Sequence, residues 1–254
     1  MRVRLVESSC GASSSTQYAT AYVVNDSVAV DAGPLGFWRT PDDQARIRHV
    51  ILTHSHLDHL ATLGIFTENA YRPGRECLTV WGSESVLSCL REDIFNGRVW
   101  PNLLELPSTD APMLKVAVLE AETAVTVEGI RVTPVPVSHT VPTFGVVLEE
   151  RDTAVLIVSD TGPTERIWEV ANTLSHLKAV YLEATFPNDM TALADISRHL
   201  MPSTFAIELQ KLRRPATVLA VHLKARYRDR VASELTALGI DRVRLAEPGR
   251  EYIW

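Results

Sequence analysis

The feature that most constrains this chain is the heptapeptide Thr-His-Ser-His-Leu-Asp-His at residues 53–59. It follows an apolar run that predicts a buried strand, and it places three imidazoles and one carboxylate within six positions. Residues two apart point to the same side of an extended chain, so His54 and His56 share a face, while Asp58 and His59 follow around the turn. The loop predicts metal ligation, because four polar groups packed there without a metal would each need another partner.

Four more acids and histidines each stand just past the end of an apolar, β-type run. They are His139, Asp160, Glu183 and His222. A strand fixes such a side chain, and the following loop leaves space for a ligand. A strand end also carries Asp31, which is either a turn carboxylate or an acceptor for a ligand histidine.

Together these residues predict a two-metal site. Mixed imidazole and carboxylate ligation suits Zn²⁺, with Mn²⁺ or Fe²⁺ as alternatives. Two ions roughly 3.5–4 Å apart hold a bridging hydroxide and clamp a phosphate for in-line displacement. The metal ligands are assigned as His54, His56 and His139 for one ion, Asp58, His59 and His222 for the other, and Asp160 as the bridge between them.

Composition narrows the class of protein. The chain has 254 residues and a net charge of −6, which argues against a long nucleic acid as the main partner. Three widely spaced cysteines, Cys10, Cys77 and Cys89, indicate a reducing compartment rather than a disulfide framework. We find no signal peptide and no apolar run near the roughly 18 residues of a membrane span, and we expect a cytoplasmic protein.

The order of the predicted elements indicates one domain over residues 1–254. Strands come first, and helices then alternate with strands in each half, which predicts two packed sheets with helices outside. No change in composition marks a linker. Residues 61–110 form an apolar segment with two tryptophans, which we interpret as an insert within the domain. Such a segment is compatible with either oligomeric state, a homodimer or a monomer.

The heptapeptide at 53–59, taken with His139, Asp160 and His222, resembles the metallo-β-lactamase superfamily. The resemblance covers nearly the whole chain. It implies a mixed α/β fold, an αββα sandwich with the dinuclear site at one edge between the two sheets. The superfamily includes lactamases, thioester hydrolases, RNA nucleases and phosphodiesterases, so the motif alone does not identify the substrate.

Further segments are similar to the class II cyclic-nucleotide phosphodiesterases. They are residues 56–60, 94–102, 182–188, 198–202 and 221–227. This chain has Thr62 where that family's signature prefers Gly or Ser, and Ala225 where Pro is usual. The resemblance implies hydrolysis of 3′,5′-cyclic nucleotides, cAMP or cGMP, to 5′-nucleotides through the bridging hydroxide.

The segment from Glu183 to His199 also resembles the tRNA 3′-processing endonucleases of the same fold. That resemblance implies that His199 protonates the leaving oxygen with Glu183 behind it, and we predict Asp58, Glu183 and His199 as the catalytic residues. A carboxylate beside an imidazole fixes its tautomer and raises its pKa. Only 20 residues separate His139 from Asp160, which leaves no room for the long arm of many tRNA enzymes.

Three residues are predicted to line the substrate pocket: Asn96, Trp100 and Phe186, with Trp100 stacking on a base. Packing within the insert is the alternative for Trp100. The rival functions are an RNA or tRNA 3′-end phosphodiesterase, a thioester or lactam hydrolase that does not require the Glu183–His199 pair, and a non-catalytic metal-binding protein.

Overall fold

A computed structural model of the chain describes residues 1–9 and 16–254. It contains two seven-stranded sheets and a two-stranded ribbon. In chain order the strands are β1 (Arg2–Leu5), β2 (Tyr22–Val24), β3 (Val28–Val30), β4 (His49–Ile51), β5 (Leu78–Gly82), β6 (Pro107–Ser108), β7 (Ala111–Pro112), β8 (Leu114–Val118), β9 (Val125–Val127), β10 (Ile130–Val137), β11 (Thr143–Glu150), β12 (Thr153–Ile157), β13 (Leu177–Glu183), β14 (Thr217–Val221), β15 (Val243–Leu245) and β16 (Glu251–Ile253). Cys10 lies outside the described residues.

Eight α-helices connect the strands. They are α1 (Pro41–Gln44), α2 (Leu57–Leu60), α3 (Leu63–Ala70), α4 (Glu84–Cys89), α5 (Arg166–Thr173), α6 (Thr191–Ser197), α7 (Pro202–Lys211) and α8 (Arg228–Ala237) within the described part of the chain. Other helical turns cover Leu35–Phe37, Leu90–Ile94 and Ala225–Tyr227. None of the helices in residues 1–9 and 16–254 has the length and apolar character to cross a membrane.

The two sheets have related architectures. The first has the order β16-β1-β2-β3-β4-β5-β8, antiparallel up to β3 and parallel from β3 to β8. The second has the order β15-β14-β13-β12-β11-β10-β9, parallel from β15 to β12 and antiparallel beyond. Because β11 is antiparallel to both β10 and β12, the strands β10, β12, β13 and β14 all run in one direction.

Alternate residues of each central strand enter different layers of the core. In β13, Tyr181 faces the core between the two sheets, whereas Val180 faces the core under α5, α7 and α8. In the first sheet, Ile51 enters the inter-sheet core, whereas Val50 packs with Phe66 of α3. Strands buried on both faces explain the continuous apolar runs in the sequence. The predicted helix–sheet–sheet–helix sandwich is confirmed.

The segment predicted as an insert contributes to the sheet itself. Residues 61–110 contain β5, which lies between β4 and β8 in the first sheet. They also contain α3 and α4, which cover the outer face of that sheet through Phe66 and Leu87. Part of this segment is therefore a component of the sandwich, and its family-specific character stays a prediction.

Candidate metal centre

The predicted site residues meet at one edge of the sandwich because of strand direction. His139, Asp160 and His222 follow the parallel-running strands β10, β12 and β14, so these three residues reach the same edge. The loop from His54 to His59 follows β4 of the facing sheet and ends in α2. The sequence therefore folds so that residues more than 160 positions apart contact one another, as His59 and His222 do.

The carboxylate of Asp160 lies at the centre of this cluster. Its Oδ2 atom is 3.3 Å from Nε2 of His59, 3.5 Å from Nε2 of His222, 3.7 Å from Nε2 of His54 and 3.9 Å from Nε2 of His139. Asp160 is 2 % exposed. One buried carboxylate oxygen thus faces four imidazole nitrogens that come from both sheets.

The remaining ligand-type residues form two groups around Asp160. Nδ1 of His56 lies 3.2 Å from Nε2 of His139, and Oδ2 of Asp58 lies 3.3 Å from Nε2 of His222. Potential ligand atoms lie within 4.8 Å of one another in each of three sets among the described residues: His54, His56, His139 and Asp160; Asp58, His59 and His222; and Asp160, His199 and His222. The first two sets are the grouping predicted from the sequence, the third adds His199, and the ligand roles themselves stay a prediction.

The imidazoles are held by partners on their far nitrogens. Nδ1 of His59 lies 2.7 Å from Asp31 Oδ2, and Nδ1 of His139 lies 3.1 Å from the Arg198 carbonyl. Nδ1 of His222 lies 3.0 Å from the hydroxyl of Thr185. Such contacts engage Nδ1 of each ring and direct Nε2 toward the cluster, which is the orientation that metal-binding histidines need.

Several loops at the cluster have left-handed backbone. Asp31, Ser159, Arg198 and His222 have φ angles of 61°, 65°, 52° and 57°. This conformation costs a non-glycine residue about 1–3 kcal/mol and persists only where the surroundings hold it. At Asp31 the surroundings include the backbone N–H of Thr53, which donates to the Asp31 carboxylate over 2.8 Å.

The electrostatics of the cluster fit a divalent metal. Burial lowers the pKa of His54, His56 and His139, which keeps these imidazoles neutral and able to ligate. His54 is fully buried, and its Nε2 has no hydrogen-bond partner among the described residues. An unpaired buried nitrogen costs about 1–3 kcal/mol, which a metal ion would offset. The residues present therefore fit the predicted metals, whose number and identity belong to the proposal below.

Two further groups carry shifted pKa values. Burial opposes ionisation of Asp58, but the hydrogen bond from His222 and the nearby imidazole charges outweigh it and hold the pKa of Asp58 below its usual value. Burial likewise disfavours charging His59, yet the Asp160 and Asp31 carboxylates raise its pKa well above the usual value. Asp58 is thus ionised across the neutral range.

Glu183 and His199 lie in direct contact beside the cluster. Nδ1 of His199 is 2.6 Å from Oε1 of Glu183, which also accepts from the Thr161 N–H over 2.9 Å. Burial disfavours the His199 cation, but the charge and hydrogen bond of Glu183 outweigh it and raise the pKa of His199. The His199 ring stacks on the His222 ring with centroids 5.4 Å apart. The pair can therefore hold a proton next to the cluster.

A family comparison decides the class of this fold. The family model described as the beta-lactamase superfamily domain matches residues 27–223 of the chain. The chain belongs to the beta-lactamase superfamily. The superfamily and the hydrolase class predicted from the sequence are confirmed at this level, since the matched region carries every residue of the cluster.

The relatives that this chain resembles include two named phosphodiesterases. A probable 3′,5′-cyclic-nucleotide phosphodiesterase of Yersinia pestis is 26 % identical over 181 residues, which are 65 % of this chain and 51 % of the relative. A 3′,5′-cyclic-nucleotide phosphodiesterase of Candida albicans is 26 % identical over 57 residues, 22 % of this chain and 13 % of the relative. The matches thus span about half of the first relative and a smaller part of the second.

Two solved structures share the whole fold of this chain. Unliganded yeast PDE1 gives a TM-score of 0.80 at 17 % identity, covering 100 % of this chain and 99 % of that chain. The short form of human tRNase Z gives a TM-score of 0.67 at 18 % identity, covering 100 % and 99 %. Both likenesses establish the fold of the superfamily and leave the substrate to be argued from the site.

The predicted pocket residues differ in whether they contact the candidate site. Phe186 is 6 % exposed and packs edge-on against the His199 ring, with centroids 5.7 Å apart. The amide of Asn96 is used within its own turn, where it donates to the carbonyl of Glu92 and accepts from the backbone N–H of Arg98. Only Phe186 thus contacts a predicted catalytic residue, and the pocket-wall role of Asn96 stays a prediction.

Trp100 is engaged with α3. Its indole N–H donates to Glu68 over 3.1 Å, and its ring covers Gly64 so closely that an added Cβ there would lie 2.7 Å from the ring. This corresponds to the alternative of packing within the insert. Stacking of Trp100 on a base receives no support from these contacts and stays a prediction.

Three contact residues of the site were not found from the sequence. They are Thr185, Arg198 and Lys224, which contact His222, His139 and Asp58. Their residue types do not predict these contacts, because each side chain reaches the site only through the conformation of its loop. Each lies within two positions of a predicted site residue and inside a segment that resembles the cyclic-nucleotide phosphodiesterases, and these are the signals that the sequence offers.

Replacing Asp31 with asparagine is expected to weaken metal retention about 10- to 100-fold, because the carboxylate that fixes His59 is lost. The measurement is the chelator concentration that removes half of the bound metal. Asp26→Asn is the matched control, because Asp26 has a similar φ of 59° but lies in the β2–β3 turn beside Arg2. Equal retention in the two variants would contradict the positioning role of Asp31.

Proposed function

We propose that the chain is a dinuclear-metal phosphodiesterase that hydrolyses 3′,5′-cyclic nucleotides to 5′-nucleotides. The convergence of four imidazoles on Asp160, beside the Glu183–His199 pair, is the observation that carries the proposal. Zn²⁺ is the favoured metal, with Mn²⁺ and Fe²⁺ as alternatives. The two ligand groups are those given above, with Asp160 between them.

The metals, when bound, supply Lewis acidity and activation of water near neutral pH. The protein residues orient and shield the reaction. Glu183 holds the Nδ1 proton of His199 at 2.6 Å, which leaves Nε2 of His199 to deliver a proton to the departing 3′ oxygen. Phe186 packs edge-on against the His199 ring. The product is then a 5′-nucleotide.

Lys224 supports an anionic substrate. Its ammonium lies 3.6 Å from Oδ2 of Asp58 with 47 % of the side chain exposed, so donors remain for a phosphate oxygen. Lys224→Met is expected to raise KM for a phosphodiester up to about tenfold, since a charge-assisted hydrogen bond is worth about 1.5 kcal/mol, reduced by solvent. Steady-state kinetics beside Lys178→Met, an exposed lysine of β13, checks this, and an unchanged KM would remove Lys224 from substrate binding.

A tRNA 3′-end phosphodiesterase is the second candidate. The Glu183–His199 contact favours it as much as it favours the cyclic nucleotide. Two observations weigh against it: the net charge of −6, and the short interval between His139 and Asp160. That interval holds β11, β12 and the turn at Arg151 and Asp152, with no protruding arm.

A substrate panel separates the candidates. Metal-replete protein is assayed with 3′,5′-cyclic AMP, 2′,3′-cyclic AMP, bis-p-nitrophenyl phosphate, a precursor tRNA and a thioester. The proposal expects preference for the 3′,5′-cyclic nucleotide. Cleavage of the tRNA that weakens steeply with salt would favour the nuclease. Turnover of the thioester alone, with two metals bound, would favour that hydrolase class.

Metal content, measured together with turnover, tests the alternative of a non-catalytic metal-binding protein. A metal-binding protein without activity would hold its ions and turn over none of these substrates. The complete ligand set and the Glu183–His199 pair support an enzyme instead. The cytoplasmic location and a homodimer stay predictions, to be checked by fractionation and by light scattering.

A further inference from the structure

Arg198 lies next to His199 in the loop that follows α6. Its carbonyl accepts from Nδ1 of His139 over 3.1 Å, and its guanidinium Nη1 donates to the His139 carbonyl over 2.7 Å. The two residues are therefore joined by two hydrogen bonds in opposite directions. One of these bonds fixes the imidazole of a proposed metal ligand, and the other fixes its backbone.

The backbone of Arg198 is unusual for its residue type. It has a φ of 52° at the C-terminal end of α6, a conformation that glycine adopts without strain. Arginine is disfavoured there, and its side chain is otherwise exposed. Arg151 has the same φ of 52° in an exposed turn, so a role for Arg198 rests on the bond from its guanidinium to the His139 carbonyl rather than on its backbone.

The same loop carries the proposed proton donor. Each of residues 198–200 contacts the site: Arg198 binds His139 through two hydrogen bonds, His199 binds Glu183 over 2.6 Å, and the Leu200 N–H donates to Glu183 over 3.1 Å. Gly162 packs against the Cα of Arg198, and an added Cβ there would lie 3.5 Å away. The loop is thus tied both to the metal-ligand turn and to the Glu183 strand end.

We propose that Arg198 is a positioning residue that locks His139 in place and sets the distance between the metal centre and His199. The inference rests on the metal role proposed for His139. It goes beyond that role because it assigns a function to the guanidinium of Arg198, a residue that is not itself a proposed metal ligand. Loss of the guanidinium should therefore weaken the metal site and slow the proton-transfer step together.

The test compares three variants of the metal-replete protein. Arg198→Gly removes the guanidinium but keeps the backbone conformation, because glycine accepts φ near 52°. Arg198→Lys keeps one cationic donor. Arg151→Gly is the matched control, since Arg151 also has a φ of 52° but lies in the exposed turn between β11 and β12. Metal retention against a chelator, kcat and KM for 3′,5′-cyclic AMP, whose leaving oxygen needs a proton, kcat and KM for bis-p-nitrophenyl phosphate, and the apo-protein Tm are measured for each.

The chelator concentration that removes half of the metal is expected to fall at least tenfold in Arg198→Gly, less in Arg198→Lys, and not in Arg151→Gly. kcat should fall in Arg198→Gly while KM stays within about threefold, because residues positioning the catalytic groups affect turnover more than binding. The apo-protein Tm of Arg198→Gly should match that of Arg151→Gly within a few degrees.

Wild-type metal retention in Arg198→Gly would overturn the inference. So would a change in KM alone, which would make Arg198 a substrate contact, or a large loss of apo-protein Tm, which would make its role general stability. Wild-type protein that binds no metal would instead defeat the proposed function. The two failures are therefore distinguishable, because one is read in the variant and the other in the wild type.

Discussion

Asp160→Asn is expected to lose turnover by at least about 10³-fold and to lose bound metal with it. The substitution removes the one carboxylate oxygen that faces both proposed ligand groups, at 3.3 Å from His59 and 3.7 Å from His54. Metal activation of water and phosphate is worth several kcal/mol, and each 1.36 kcal/mol is tenfold in rate. Turnover and metal content, measured on the same preparation, check this expectation.

The matched control for this variant is Asp152→Asn. Asp152 is an exposed aspartate in the turn after β11, and its loss should leave metal content and turnover unchanged. Full metal content with full activity in Asp160→Asn would contradict a bridging role. Loss of one equivalent of metal with the other retained would show that Asp160 serves only one of the two groups.

His199→Ala is expected to keep both metals but to slow hydrolysis of a 3′,5′-cyclic nucleotide by about 10²- to 10⁴-fold, the usual contribution of a general acid. The reason is that His199 contacts Glu183 and stacks on His222 without being assigned as a ligand. His176→Ala is the matched control, because His176 also faces a glutamate, at 3.3 Å from Glu149, on the outer side of the second sheet.

Substrate choice sharpens this test. The 3′ oxygen of a cyclic nucleotide is a poor leaving group and needs a proton, whereas p-nitrophenolate leaves readily without one. His199→Ala should therefore slow bis-p-nitrophenyl phosphate hydrolysis less than tenfold while slowing the cyclic nucleotide far more. Equal losses on both substrates would indicate that His199 supports the metals or the fold rather than the leaving group. Full turnover on both would remove His199 from the mechanism.

The sequence predicts the cluster well because its members stand at strand ends. His139, Asp160 and His222 each follow an apolar run, and such runs become β10, β12 and β14 of one sheet. Parallel direction then brings their ends to a common edge. The sequence allows Asp31 either a turn role or a contact with a histidine, and the 2.7 Å distance between Asp31 Oδ2 and His59 Nδ1 favours the contact.

Contacts that depend on loop conformation cannot be predicted from the sequence. Arg198 reaches His139 only because residue 198 adopts left-handed backbone after α6. Trp100 lies on Gly64 because α3 presents a glycine where a side chain would clash. Similarity to a family segment indicated an aromatic pocket wall at Trp100, but local packing against α3 determines where that ring lies.

The most direct measurement is the product formed from 3′,5′-cyclic AMP by purified, metal-replete protein. We expect 5′-AMP, formed faster than any product of 2′,3′-cyclic AMP, with activity lost to a chelator and restored by Zn²⁺ or Mn²⁺. Bound metal without hydrolysis of any phosphodiester would contradict the proposed function, and the thioester and lactam hydrolases of the superfamily would then become the leading interpretation.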